Sequence, residues 1–278
     1  MKAPPPCLWR HRLAALAAVA VLLAAAGPAH AGCSRTVSVP VAPNGLGVTV
    51  SSGAIGGVYP QLLRRVSEQH GCQLAFMAVP RARLEALFDA GKADLLLPAS
   101  PSAQRDQSGL FVPLLGARPA LVSVAGSKAP VHSVAELLAR RELRVAVVRG
   151  YDYGSSYQQL SQALAAQGRL VEEVDAVAMA RLVQAGNVDV ALIGPTVFYG
   201  AVENDARLQG LVGRLRIDVL PELPWSQRGA YISRRSLTPA DQATLRAMLE
   251  QLARSGAVLQ NFQRSYQPDV MLASMRAP

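Results

Sequence analysis

Aromatic residues are scarce in this 278-residue chain, at 5%, and cysteine occurs only 3 times and histidine 4 times. Past residue 26, no uninterrupted apolar run approaches the ~18 residues that read as a membrane span. With so few rings, and no stretch in which Lys or Arg alternates with them, nothing points to a nucleic-acid partner. Only His70 and His132 lie beyond residue 31, and neither has a second ligand at a recognisable spacing, so no metal site is expected. Gly53 to Gly57 is glycine-rich but lacks the full dinucleotide or P-loop spacing, so no nucleotide or other cofactor is expected either. No nucleophile, base and orienting group stand together. Asp152 and Glu173 are the only residues that could serve as a general acid or base, so the chain reads as a non-catalytic protein.

The amino terminus is richer in signal. Lys2, Arg10 and Arg12 precede the apolar run Leu13 to Ala26, and Ala29-His30-Ala31 supplies small residues at both cleavage-determining positions. Residues 1–31 are therefore expected to be a secretory signal peptide, the mature chain to begin near Gly32, and its compartment to be the periplasm. Cys33 follows the cleavage region, but His30 stands where a lipobox carries an aliphatic residue, which argues against a lipid anchor at Cys33. Cys7 leaves with the signal. Cys33 and Cys72 remain, 39 positions apart in an oxidising compartment, and are expected to form one structural disulfide worth about 3 to 4 kcal/mol. Without Lys2, Arg10 and Arg12 the formal charge falls from +9 to +6, a spread excess suited to meeting anionic lipid or cell wall.

Beyond residue 31, 247 residues are enough for two lobes of roughly 100 to 150 residues each. Strand-like and helix-like segments alternate almost throughout, the pattern of βα units on a mostly parallel sheet, so the fold class is α/β. A first series comprises strands near 36–43, 73–79 and 94–97, with helices near 59–70 and up to Gly91. A second comprises helices near 134–141 (Ser133 as N-cap), 155–167 and up to Gly186, with strands at 143–148, 171–174 and 188–193. Each series carries one small signature: Ala90-Gly91-Lys92-Ala93-Asp94 matches Ala185-Gly186-Asn187-Val188-Asp189. Nothing repeats a third time, so this is a pair of related lobes and not a solenoid. The matching positions assign Asp94 and Asp189 to structural capping. An extended segment from Gly116 to Gly126 leaves the first lobe and Pro221 to Gly229 returns to it, two crossings that imply a hinge. The expected lobes are 32–118 with 225–278, and 119–224. Thr238 caps a helix running to Arg254, Gly256 ends it, and a last helix carries Leu259, Phe262 and Tyr266.

The stretch from Val79 to Arg105 is the most informative. Leu84, Leu87 and Phe88 recur at helical spacing, Gly91 stops the helix, Asp94 leads into the apolar run Leu95 to Leu97, and Ser100, Ser102 and Arg105 follow. In open α/β sheets the carboxyl ends of strands are where ligands sit, and a guanidinium can hold a carboxylate with two parallel charge-assisted bonds. The alternative is a solvated loop with a surface arginine. Tyr59, Tyr151 and Tyr153 can stack on a ligand or pack the core, and Trp225 can line a cleft or pack the hinge.

These features together resemble the bacterial periplasmic solute-binding proteins of amino-acid ABC transporters, family 3, with the type II periplasmic-binding fold. The pieces carrying the resemblance are Arg83-Leu84 with Leu87, Gly91 and Asp94, then Ser102 to Arg105, Arg149-Gly150, Gly186 to Asp189, and Ser255-Gly256 to Tyr266. The resemblance implies two lobes closing on a small carboxylate-bearing ligand, a monomer, and delivery to an inner-membrane ABC permease. It makes Arg105 the clamp for the ligand carboxylate, assisted by Ser100 and Ser102, with Gly150 opening the anion-binding turn of the second lobe and Tyr151 and Asp152 after it; Tyr59 joins the candidate ligand-binding residues as a ring that can stack on the ligand. Three places depart from the pattern: the Thr that commonly follows the turn glycine is Tyr151, the acidic partner for a ligand ammonium is Gly194, and the usual acidic residue of the first helix region is absent where Gly57-Val58-Tyr59-Pro60 stands. Either Asp152 replaces that partner or the ligand carries no amine. Exported dehydratases acting on cyclic acids, similar to cyclohexadienyl dehydratase, and sensory modules without a permease resemble the same fold and are the alternatives.

Overall fold

A computed structural model describes residues 32–278; the expected signal segment 1–31, with Cys7, lies outside the described residues. From the first of these the chain forms β1 (Val37–Val41), a hairpin of β2 (Thr49–Ser51) and β3 (Ala54–Gly56), helix α1 (Val58–Gln69), β4 (Leu74–Ala78), α2 (Arg81–Asp89), β5 (Leu95–Ala99), α3 (Ala103–Ser108) and the long strand β6 (Gly109–Ala117). Past Arg118 and Pro119 come β7 (Ala120–Val124), α4 (Val134–Ala139), β8 (Val145–Val148), α5 (Ser155–Ala166), β9 (Leu170–Glu173), α6 (Ala176–Gln184), β10 (Val190–Ile193), α7 (Pro195–Glu203), a 3-10 turn and β11 (Leu215–Asp218). The chain then returns through β12 (Ser226–Ser233) to α8 (Pro239–Arg254), α9 (Ala257–Ser265), α10 (Pro268–Ser274) and a closing strand β13 (Met275–Arg276).

Two sheet systems result. In one, β1 and β4 pair in parallel while β5, β12, β6 and β13 form an antiparallel sheet in the order β13-β6-β12-β5. In the other the order is β11-β7-β10-β8-β9, parallel through β10, β8 and β9 and antiparallel at β7 and β11. The sheets are thus mixed, where the alternation of helices and strands predicts mostly parallel ones. The reason lies in the crossings. β6 carries the chain out of the first sheet and β12 brings it back alongside, which forces an antiparallel pair; β7 and β11 do the same in the second sheet. The hairpin β2–β3, helices α3, α7 and α10, and strand β13 have no counterpart in the pattern reading, being short or wholly buried and so without periodic contrast.

The repeated Ala-Gly…Asp signature is one structural device used twice. Gly91 and Gly186 have φ of +67° and +72°, a left-handed stop that lets Lys92 N–H reach Leu87 O and Asn187 N–H reach Leu182 O. Asp94 then exchanges backbone and side-chain bonds with Ser38: Asp94 N–H donates to Ser38 O, and Ser38 N–H donates to Asp94 Oδ2 at 2.7 Å. Asp189 does the same with Arg144, whose N–H donates to Asp189 Oδ2 at 2.7 Å. Each aspartate locks the start of its strand to a neighbouring segment. Asp94 also takes a bidentate pair from Arg35 at 2.6 and 2.8 Å and a bond from Ser236 Oγ. Burial alone would raise its pKa, but these donors outweigh burial and hold it below the ordinary carboxylate range. Ser133 and Thr238 cap α4 and α8 through bonds from Glu136 N–H and Asp241 N–H. Cys33 and Cys72 form a disulfide that ties the segment before β1 to the end of α1. Among the described residues no helix is long and apolar enough to cross a membrane, and no three His, Cys, Asp or Glu side chains gather as a metal site.

Candidate ligand-binding cleft

A cleft of about 510 Å³ opens between the two sheet systems. Its lining joins Asn44, Tyr59, Arg81, Pro98, Leu115 and Arg228 from the first to Tyr151, Asp152, Tyr153, Gly194 and Thr196 from the second, with Ser274 and Met275 near the carboxyl terminus.

Arg81 is the first residue of α2, where a cation meets the positive end of the helix dipole and no acidic residue occupies the first turn. Its side chain is 10% exposed and turns toward the cleft: Nε donates to Gly150 O at 3.4 Å, Nη1 to Pro98 O at 3.2 Å and Nη2 to Glu85 Oε1 at 3.1 Å. Arg228 is placed by a β-bulge. The β12–β6 register slips between Arg228, opposite Leu115, and Gly229, opposite Pro113. Only glycine fits beside it, since a Cβ on Gly229 would lie 1.9 Å from Val112 O. Arg228 Nη1 donates to Asp152 O at 2.8 Å and contacts Ser100 Oγ, its guanidinium lies 4.3 Å from the centre of the Tyr153 ring, and its Nη2 is buried with no hydrogen-bond partner. No carboxylate forms an ion pair with Arg228 among the described residues. Desolvation lowers the pKa of both arginines, yet guanidinium stays charged throughout the ordinary pH range.

Three tyrosines complete the walls. Tyr59 packs edge-on against Phe262, and its hydroxyl makes no hydrogen bond among the described residues. Tyr151 accepts from Asn44 Nδ2 at 3.2 Å, and burial pushes its pKa up to about 12. Tyr153 Oη accepts the Gly194 N–H at 2.8 Å, and burial raises its pKa as well. A Cβ on Gly194 would meet that Tyr153 hydroxyl at 3.2 Å, so a side chain at 194 would require the hydroxyl to shift.

The residues singled out from sequence fall on two sides of an ionic partition. Tyr59, Tyr151 and Asp152 line the cleft, whereas Arg105, Ser102 and Gly150 line an adjoining depression that Tyr151 and Asp152 also border. Ser100 stands between, donating from Oγ to Asp152 O at 2.8 Å. The partition is Arg81–Glu85–Arg105. Arg105, expected as the carboxylate clamp, is buried with Nε and Nη2 on Glu85 at 3.0 and 2.9 Å and Nη1 on Ser100 O at 2.7 Å. Ser102 caps α3 by accepting from Arg105 N–H, and Gly150, at φ +80°, makes the left-handed turn that aims its carbonyl at Arg81. The Asp152 carboxylate accepts from Gly154 N–H at 2.8 Å and Gln158 Nε2 at 3.0 Å, a local turn at the start of α5. Glu173 does not line the cleft. Trp225 lies outside it too, stacked between Arg118 and Arg276 at 4.4 and 4.7 Å.

Sequence reasoning missed Arg81 and Arg228. Both left a trace: a cation at the wrong end of a helix, and Gln227-Arg228-Gly229 with a glycine inside a strand, which signals a bulge.

Among solved structures, the GluR0 ligand-binding core in complex with L-glutamate shares the fold at a TM-score of 0.65, with 20% identity over 84% of this chain and 99% of that one. An amino-acid ABC transporter substrate-binding protein, AbpA from Streptococcus pneumoniae bound to L-arginine, gives 0.65 with 19% identity over 86% and 95%. A histidine kinase sensor domain with similarity to periplasmic binding proteins gives 0.66 with 20% identity over 88% and 98%. No curated protein matches by sequence. The two-lobed periplasmic-binding fold is thereby established, and because residues 48–222 match the sequence profile of the bacterial extracellular solute-binding proteins, the chain belongs to that family.

Proposed function

We propose that this solute-binding protein captures a small carboxylate-bearing ligand, an amino acid or related organic acid, between lobes formed by residues 32–118 with 225–278 and by 119–224. The observation that carries this reading is the pair of partly buried arginines, Arg81 and Arg228, turned into one cleft, with Arg228 Nη2 making no hydrogen bond within the protein. A carboxylate fits the guanidinium fork, and Ser100 and the Tyr151–Tyr153 turn close over it. Tyr59, Tyr151 and Asp152 are wall residues. Arg105, Ser102 and Gly150 act from behind, holding Glu85 and the turn in place. Arg105 therefore moves from ligand clamp to supporting ion pair.

Closure is a population shift, in which the ligand stabilises the form where both lobes touch it. Bonds such as Ser100 Oγ to Asp152 O and Asn44 Nδ2 to Tyr151 Oη already cross the cleft and show which surfaces meet. The protein works without catalysis: of Asp152 and Glu173 only the first reaches the cleft, and its carboxylate is held by a turn. It is exported to the periplasm by cleavage after residue 31, acts as a monomer and hands its ligand to an inner-membrane ABC permease; the structural relatives bound to L-glutamate and L-arginine support the ligand class. Thermal unfolding of the chain from Gly32 against amino acids, their deaminated analogues and dicarboxylates tests this. A ligand at 100 times its dissociation constant adds about 2.7 kcal/mol. No stabilisation by any small carboxylate overturns the reading.

A further inference from the structure

We infer that the ligand is an amine-free organic acid, an anion carrying no ammonium beside its carboxylate. This rests on the carboxylate reading above and narrows it.

An ammonium group needs a carboxylate, a set of free carbonyls or an open aromatic face. Among the described residues the cleft offers no carboxylate free of protein donors. Glu85 is bound by both Arg81 and Arg105, and the Asp152 carboxylate is held by Gly154 and Gln158. The carbonyls of Pro98, Gly150 and Asp152 accept from Arg81 or Arg228. Two of the three tyrosine faces are taken too, by guanidinium groups: Arg228 lies over Tyr153 at 4.3 Å and Arg81 over Tyr151 at 5.7 Å. Position 194, at the amino end of α7, is glycine, and a side chain there would require the Tyr153 hydroxyl to shift.

Charge points the same way. Arg81, Arg105 and Arg228 face two carboxylates, Glu85 and Asp152, so the cleft and its partition hold a net positive charge before any ligand arrives. A second cation placed among these groups is repelled, while an anion is matched. The hydrogen-bonding groups left over include Arg228 Nη2 and the Tyr59 hydroxyl, both suited to oxygen atoms of a ligand. Around them Pro98, Leu115, Val197 and Met275 provide an apolar wall for its carbon skeleton.

The test is titration calorimetry of the chain from Gly32 with matched pairs: L-glutamate against 2-oxoglutarate and glutarate, L-phenylalanine against phenylpyruvate, L-leucine against 4-methyl-2-oxopentanoate. The expected result is that in every pair that binds, the amine-free acid binds at least tenfold tighter, a difference of about 1.4 kcal/mol. Arg228→Gln then weakens that acid at least tenfold, with unchanged unfolding midpoint. An amino acid that binds as tightly as its deaminated partner, or tighter, overturns this inference and leaves the carboxylate reading standing. If neither member of any pair binds, the carboxylate reading falls and this inference with it.

Discussion

Replacing Arg105 and Arg228 separately by alanine should give opposite phenotypes. The Arg105 guanidinium makes three bonds from a site only 7% exposed, two to Glu85 and one to Ser100 O. Breaking one side of a buried ion pair costs about 3 to 5 kcal/mol. Here the Glu85 side chain is 27% exposed and keeps Arg81 at 3.1 Å, which reduces the expected loss to about 2 to 3 kcal/mol. Arg228 has a different balance: its truncation loses a bond to Asp152 O worth about 1 kcal/mol, the Ser100 Oγ contact and the stacking on Tyr153 worth about 0.5 to 1 kcal/mol, but also removes a buried unpaired donor costing about 1 to 3 kcal/mol. Arg228→Ala should therefore stay within about 1 kcal/mol of the parent in urea unfolding. Its ligand affinity should fall about ten- to 150-fold, the loss of one charge-assisted bond of about 1.5 to 3 kcal/mol. Urea curves and calorimetry on both variants separate the two roles. A stable Arg105→Ala that no longer binds, beside an Arg228→Ala that binds normally, would refute the assignment.

Further outcomes follow from the same geometry. Cys33→Ser with Cys72→Ser should lower stability in urea by about 4 kcal/mol, the closure entropy of a 39-residue loop, and dithiothreitol should do the same to the parent but nothing to the variant. Asp94 has a lowered pKa in the fold, so its contribution is complete above the ordinary carboxylate range near about pH 4 and disappears as pH falls through the lowered value. Asp94→Asn should thus be about 2 to 3 kcal/mol less stable at about pH 7, with the gap closing toward about pH 2; a gap constant with pH would contradict the account. Tyr151 stays neutral up to about 12 and no histidine lines the cleft, so affinity should be flat from about pH 7 to about pH 10, where an ordinary tyrosine begins to ionise. A midpoint near about pH 10 in the binding curve would mean that the tyrosine walls are more open than described.

Much of the fold was legible because it rests on local, periodic or punctuating signals. Leu95, Leu96 and Leu97 are fully buried, and a short apolar run between turn signals reads directly as a buried strand. Gly91 and Gly186, with their aspartates, marked two helix stops and two strand starts, and Ser133 and Thr238 marked two caps. The parallel-versus-antiparallel choice was not legible, since it depends on where the chain crosses between sheets. The candidate site was half legible for a related reason. Tyr59, Tyr151 and Asp152 sit in loops or at helix starts whose position follows from the strand ends, whereas Arg228 comes from a returning strand more than a hundred residues from Ser100. Arg105 has the sequence context of a carboxylate clamp, and the reassignment proposed for it rests on contacts that sequence spacing does not show. The residue that engages it is Glu85, four residues beyond Arg81 on the same helix, and an Arg–Glu pair at that spacing is common enough to pass unnoticed.

In the proposed closure, the far end of the chain joins the cleft to the two crossings. Strand β13 pairs with β6 at Ala117 and Gly116, just before the outgoing crossing, and Arg118 binds back to α10 and its end, with N–H on Ser274 O and Nε on Ala273 O. Trp225, just before β12 on the returning crossing, is stacked between Arg118 and Arg276, so one ring joins both crossings and the terminal strand. Ser274 and Met275, in the middle of this assembly, line the cleft. A ligand touching them therefore contacts the same short segment that braces the hinge. Because a ligand moves an equilibrium only by the difference in its contacts to the two states, contacts made on the brace itself couple occupancy to the crossing geometry without any longer path through the lobes.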